Sequence, residues 1–488
     1  MKAKLVLVPT AASLLLMAQA PSAPPQPQQS LKGVVPKKLA PVSNEILRVK
    51  LPRPADRKLK NGLPLVVLEN HRVPVVTLDL VLPASTLSDP ADLPGVSECV
   101  AEMLKAGAGK RNAKEIADAL SELGASINVV AESGSRSTHI YASTLSENLD
   151  SLLDILSYVL LRPAFPQDEL DKWKARQLSR LQQARSSEFF LGNERLHQLL
   201  YEGDARAVTA PTPESVRKIA RDHLIAYYKA FYRPSNSILG VTGDITPAAI
   251  TAKLDKMWTT WETAAAAEPK FPMKEPLPVR KVYVVHRPNS VQTYLTLANR
   301  AIDRLHPDYV ACQVMNRVLG DGPAARLFRN IREEKGYTYG VYSGFTALKY
   351  MNHFSAAASV RSEVTEPAIE EFLKEFRDIR ERLVPSEELE DAKRAIVASF
   401  ALGLENQSGV LRQILLQREY GFPPDYWDTY PAKVMAVTAE DVQRVARKYV
   451  PIDNLQLVAV GDADKIRSAL AKFGPVEEFS ADGEKLQR

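Results

Sequence analysis

The stretch GVSECVAEML, residues 95–104, sets Glu98 and Glu102 four residues apart beside an apolar stripe. Val96, Cys99, Val100, Met103 and Leu104 recur at helical spacing, so one helix face is buried and the two carboxylates stand together at its rim. A pair of zinc-binding histidines requires this same spacing. Two carboxylates so placed either hold a hard cation or are two solvated glutamates on a helix rim. The seven histidines, at 71, 139, 197, 223, 286, 306 and 353, form no pair at ligand spacing, so the sequence shows no rebuilt zinc site.

The elements that must position this helix can be read on either side of it. LPLVVLEN and VVTLDLVLP are β-rich runs separated by a turn at His71–Pro74. After the 95–107 helix, Asn112 caps a second one, with Glu115 completing a capping box and Gly124 ending it. ASINVVAESGSRSTHIYAST alternates as a hairpin, and two long helices follow. The order then recurs. GVSECVAEMLKAG pairs with DYVACQVMNRVLGDG, ASTLSENLDSLLDIL with ASVRSEVTEPAIEEFL, and PQDELDKWKARQL with PSEELEDAKRAIV. Adjacent strands joined by short turns predict an α+β fold of two homologous halves. Each half is a mainly antiparallel sheet with helices packed on one face. The halves fall at 46–258 and 277–475, joined by an Ala- and Pro-rich linker at 259–276 and followed by a tail at 476–488.

The chain is 488 residues long, too many for one compact core, with 45% hydrophobic and 25% charged residues. A net charge of +5 spread without a basic run gives nucleic-acid binding no support. Lys2 and Lys4 precede an apolar run, with Ala18 and Ala20 at cleavage spacing, so residues 1–20 read as a secretory signal peptide. The run is too short for a stable membrane span, and the expected location is periplasmic or secreted. Residues 21–45, opening PSAPPQPQQ, read as a flexible spacer. Cys99 and Cys312, each within an apolar pattern, read as buried thiols.

GVSECVAEML, KRNAKEIADALSELGASIN and LGDGPAARLFRNIREEKGYTYGVYS together resemble the pitrilysin, insulinase-like and mitochondrial processing peptidase family of inverted zincins. The resemblance spans roughly residues 48 to 470 and implies two similar halves enclosing a peptide chamber. Members that hydrolyse peptides carry H-x-x-E-H on the first helix. Here those positions read Glu98, Cys99, Val100, Ala101 and Glu102. Both histidine ligands are glutamate, and Ala101 stands where the general base belongs. The third ligand, a glutamate in the family, falls at Ser179 or Arg180. Zinc hydrolysis needs three ligands to hold the ion and a base for its bound water. This chain alone is therefore expected to be no metallopeptidase and to carry no metal.

In IREEKGYTYG the family's paired arginine and tyrosine match Arg332 and Tyr339, seven residues apart. The resemblance implies that they face the zinc across the chamber and stabilise the oxyanion at the scissile peptide. An arginine and a phenol suit that role as fixed N–H and O–H donors. The competing reading makes Arg332 a surface arginine beside Glu333 and Glu334, and Tyr339 sheet packing. Asn128, in SINVV, is placed by the resemblance on a strand edge that takes substrate as an added strand. Ala131 and Gly134 replace the Thr and Glu expected further along it. Some members work as two chains, one with zinc and one without. This chain fits the second role: a zinc-free subunit for a homologous zinc-bearing partner acting on peptide substrates. A structural or peptide-binding, chaperone-like member with no catalytic role is the alternative.

Overall fold

The computed structural model describes residues 48–131, 137–263 and 270–487. The signal peptide and spacer, Gly134 and part of the linker lie outside them. The first half runs β1 (Ala55–Lys58), β2 (Pro64–Glu69), β3 (Val75–Leu82) and α1 (Val96–Met103). A small ladder of β4 (Gly107–Ala108) and β5 (Arg111–Asn112) leads into α2 (Ala113–Glu122), then β6 (Ser126–Ala131) and β7 (Thr138–Leu145). Six helices and one strand follow: α3 (Leu149–Leu161), α4 (Gln167–Ala184), α5 (Glu188–Leu200), α6 (Pro213–Lys218), α7 (Arg221–Phe231), β8 (Ile238–Gly243) and α8 (Pro247–Met257). The expected capping box on α2 is formed: Asn112 Oδ1 accepts from Glu115 N–H at 3.0 Å, and Glu115 Oε2 accepts from Asn112 N–H at 2.8 Å.

The second half opens with β9 (Val282–His286), β10 (Gln292–Arg300) and α9 (Tyr309–Leu319). A π-helical turn at Phe328–Glu334 leads to β11 (Thr338–Ala347) and β12 (Asn352–Arg361). Then come α10 (Thr365–Glu381), α11 (Ser386–Gly403), α12 (Gln407–Tyr420), α13 (Tyr426–Met435) and α14 (Ala439–Tyr449). The chain closes with β13 (Gln456–Gly461), α15 (Ala463–Leu470), β14 (Val476–Phe479) and β15 (Lys485–Leu486).

The duplication is visible in strand order. The first sheet runs β1-β2-β8-β3-β7-β6, and the second, from its far side, β14-β9-β13-β10-β12-β11 with β15 beyond β14. Antiparallel pairs dominate; β2–β8, β13–β9 and β9–β14 are parallel. Residues 476–488, expected as a tail, carry β14 and β15 and so extend the second sheet. The first helix also ends earlier than expected, at Met103, because Gly107 turns the chain into β4 with its backbone against Pro166.

Each sheet packs its own helices on one face. In the first half Leu65, Leu78, Ile140 and Val241 meet Val100, Leu153, Leu156 and Ile250. The opposite face takes a helix from the other half. Leu411 and Leu415 of α12 share a core with Val66, Leu68 and Val81 of the first sheet. Reciprocally, Leu191 of α5 packs on Val285, Tyr294 and Val460 of the second. Strand alternation makes this possible: Val76, Leu78, Leu80 and Leu82 of β3 face its own helices, while Val81 faces α12. Burying each leucine contributes about 1.5–3 kcal/mol. At both crossings a glycine admits the approach. A Cβ on Gly192 would meet the Tyr294 ring at 2.5 Å, and one on Gly240 would meet Leu411 at 2.8 Å.

Candidate functional site

The α1 helix begins where Asp89 reaches back across a turn. Its carboxylate accepts the N–H of Gly95 at 2.6 Å and of Ser97 at 3.0 Å, donors that a helix N-terminus otherwise leaves unpaired. Gly95 supplies φ +96°, which an L side chain resists, and its backbone lies against Pro211. Burial pushes the Asp89 carboxyl up to about 7, against the lowering effect of these hydrogen bonds.

Along α1 the core face holds Val96, Cys99, Val100 and Met103, and Ala101 is buried as well. Glu98 is half-buried and Glu102 is exposed. Burial chiefly, and then the charge of Glu102, raises the Glu98 carboxyl above its ordinary range, while Arg180 works the other way. Glu102 does not stand open to a cation. Arg180 Nη1 donates to its Oε1 at 2.9 Å, and Arg176 lies 3.9 Å from Oε2. Arg180 sits on α4 at one of the two positions matched to the third zinc ligand, so a guanidinium reaches into the place a carboxylate would serve. Zinc does not fit this set: no imidazole, no base at Ala101, and a fixed cation on the remaining carboxylate. Among the described residues no cluster of three or more His, Cys, Asp or Glu side chains can hold a metal ion. Cys99 and Cys312 are buried free thiols, and burial raises both.

In the second half, Arg332 lies in the π-helical turn, its guanidinium 5.1 Å from the Phe328 ring centroid and 3.6 Å from Glu333. Tyr339 is 93% exposed on β11. Between Thr338 and Val341 the register of β11 slips against β12, a bulge that re-aims the strand. It leaves Tyr339 and Tyr342, three residues apart, both turned outward, the latter 52% exposed. Tyr342 also packs on Phe328, with ring centroids 5.9 Å apart. The structure thus gathers Arg332, Phe328 and Tyr342 around one ring, with Tyr339 at the bulge beside them in sequence. Only the bulge reveals that Tyr342 belongs to this surface; strict alternation would have turned it away from Tyr339.

Asn128 is exposed on β6, an edge strand of its sheet, opposite Tyr141. The edge is partly occupied from within: Lys105 Nζ donates to the Ile127 carbonyl at 2.7 Å. Ala131 is the last described residue of β6. Between the halves lies a cavity of about 590 Å³, where β3 and β7 face α12. Asp79 Oδ1 and His139 Nδ1 meet there at 2.9 Å. Sequence pattern alone does not reveal this pair, because its members lie on different strands.

Residues 65–211 match the family described as Insulinase (Peptidase family M16), and residues 218–396 match Peptidase M16 inactive domain. The chain belongs to the M16 peptidase family. It is an M16 member without the zinc motif. It is 24% identical over 407 residues to a "Non-peptidase homolog YmxG" of Helicobacter pylori, covering 83% of this chain and 93% of that protein. It is 22% identical to an "Uncharacterized zinc protease YmxG" of Bacillus subtilis, over 71% of this chain and 83% of the relative. Among solved structures, a peptidase M16 inactive domain from Pseudomonas fluorescens superimposes with TM-score 0.78 at 25% identity. That match covers 84% of this M16 chain and 98% of the other. The two-half α+β architecture is that of these M16 structures.

Proposed function

We propose that this M16 chain is the zinc-free, non-hydrolytic subunit of a heteromeric peptidase, supplying Arg332 and Tyr339 to the zinc site of a homologous partner. The observation that carries the reading is complementary loss. The first-half site is closed by the Glu102–Arg180 pair, while the second half keeps an arginine and a solvent-facing phenol on a bulged edge strand. A phenol so exposed contributes little to the fold, and an O–H donor aimed at solvent is available to an oxyanion brought from outside. Short or unfolded peptides are the expected substrates, with Asn128 on the β6 edge contributing to their hold. The basic, apolar N-terminal leader supports export to the periplasm or beyond. Among the described residues no helix is long and apolar enough to cross a membrane.

The test is reconstitution. This chain and a zinc-bearing M16 chain from the same cell are purified separately, then assayed alone and mixed on an unfolded peptide. Cleavage that requires both chains supports the proposal; full activity of the zinc-bearing chain alone leaves this one a binding or structural member.

A further inference from the structure

Where α5 crosses the second sheet, a cavity of about 560 Å³ opens between the halves, and two histidines form part of its wall. His197 comes from α5 and His353 from β12; their rings lie edge to face with centroids 5.7 Å apart. They are 9% and 5% exposed. Their tautomers are fixed from behind. The backbone N–H of Asn352 donates to Tyr201 Oη at 2.9 Å, so that buried phenol has its own proton to place. It meets His353 Nδ1 at 3.0 Å, which must accept. His353 therefore carries its proton on Nε2. His197 Nδ1 lies 3.3 Å from the Arg206 carbonyl, which can only accept, so Nδ1 holds the proton and Nε2 presents a lone pair.

Among the described residues neither Nε2 atom has a hydrogen-bond partner, and neither is among the polar atoms sealed without one. The two imidazoles thus present one donor and one acceptor. Burial keeps both rings neutral: it lowers His197 and brings His353 down to about 3. Among the described residues Arg206 is the one charged side chain lining this cavity, and it is already committed to Asp204, through Nε at 3.0 Å and Nη2 at 2.7 Å. Phe189, Tyr294 and Tyr342 add aromatic walls.

We propose that this cavity binds an uncharged carboxamide of a peptide. The amide carbonyl accepts from His353 Nε2–H, and the amide N–H donates to His197 Nε2. A carboxylate meets the lone pair of His197 and an ammonium meets the N–H of His353, so each charged group is opposed at one of the two positions. The amide is that of a Gln or Asn side chain; a backbone peptide group, common to every peptide, is the alternative that the test separates. This site needs no zinc-bearing partner, so it stands or falls apart from the shared-site proposal.

The experiment titrates the full mature chain, with ¹⁵N-labelled histidine, against three capped tripeptides at pH 7: Ala-Gln-Ala, Ala-Glu-Ala and Ala-Ala-Ala. In the free protein the ring ¹⁵N shifts report Nε2–H for His353 and Nδ1–H for His197. On binding, both Nε2 resonances move, and Ala-Gln-Ala binds about ten-fold or more tightly than Ala-Glu-Ala. Preference for Ala-Gln-Ala over Ala-Ala-Ala as well assigns the side-chain amide, and equal binding of these two overturns it. His197→Phe and His353→Phe each lose the preference over Ala-Glu-Ala. The proposal is overturned by the opposite tautomers, by Nε2 resonances that do not move with any of the three peptides, or by equal affinity for Gln and Glu. Because the wild-type shifts decide the matter, a variant that fails to fold does not.

Discussion

Arg180 on α4 donates to Glu102 on α1 at 2.9 Å, and this contact joins a changed zinc-motif position to one of the two positions matched by resemblance to the third ligand. The cation at the site is part of the chain. Both side chains are substantially exposed, so the pair stabilises the fold by no more than about 1 kcal/mol. Its consequence is chemical: a guanidinium bound to Glu102 neither lowers the pKa of a water nor leaves room for an ion that would.

Zinc content follows from this. After dialysis the purified chain is expected to hold no stoichiometric zinc by elemental analysis. The double change Glu98→His, Glu102→His is expected to remain zinc-poor, since Arg180 still points a positive charge at the site. Adding Arg180→Glu and Ala101→Glu supplies the third ligand and the base, and the fourfold variant is expected to bind about one zinc per chain. Tight zinc binding by the double variant would show that Arg180 does not guard the site.

Asp89 gives the α1 N-terminus a pH dependence. Its carboxyl sits near 7 in the folded chain against 3.8 as its ordinary value, so between those values the folded state holds a proton the unfolded state has lost. Stability contributed through Asp89 is therefore fully present near pH 4 and falls as pH rises through 7. Glu98, also raised, adds a slope of the same sign, so the comparison is made with Asp89→Asn. The melting temperature of wild type is expected to drop more steeply than that of the variant between about pH 4 and pH 7. A steeper rise in wild type instead would mean that the two N–H donors keep Asp89 ionised throughout.

The helix exchange is tested at its glycine. Gly192→Ala puts a methyl 2.5 Å from the Tyr294 ring, where overpacking costs about 1–3 kcal/mol. Gly403→Ala, with nothing within 4 Å, is the control and is expected to be near neutral. Equal denaturation midpoints for the two variants would show that α5 yields freely at this crossing.

How far the sequence led depended on the range of each interaction. Local signals were legible: the Asn112–Glu115 box, the strand runs of both halves, and the repeat of α1, α3 and α4 in α9, α10 and α11. Contacts across the two halves were not. Gly192 against Tyr294, or His197 against His353, joins residues whose neighbours in sequence say nothing of one another. The third-ligand position was legible only as Ser179 or Arg180; of the two, Arg180 is the one that contacts Glu102. Tyr342 was hidden by the bulge between Thr338 and Val341, which no alternation rule anticipates.

Lys105 bears on how the β6 edge is used. Its ammonium occupies the Ile127 carbonyl, an acceptor that an added strand would need. Lys105→Met keeps the aliphatic stem and frees the carbonyl. If the edge receives peptide, the variant is expected to bind an unfolded peptide several-fold more tightly by fluorescence anisotropy, an effect of about 1 kcal/mol. Unchanged affinity would place the peptide elsewhere on the chain.

The central claim, that this chain lends donors to a partner's zinc, is tested most directly by turnover of the reconstituted complex with Arg332→Ala and Tyr339→Phe. Tyr339→Phe deletes one hydroxyl from a side chain that is 93% exposed, so folding and assembly are expected to be intact. Tyr337→Phe, whose ring packs partly against the second-half core, serves as control. The account predicts that each of the first two variants lowers kcat on the order of 10²-fold, as loss of one oxyanion donor does, while the complex forms normally and the control is unaffected. Wild-type turnover in the complex carrying both substitutions would contradict it.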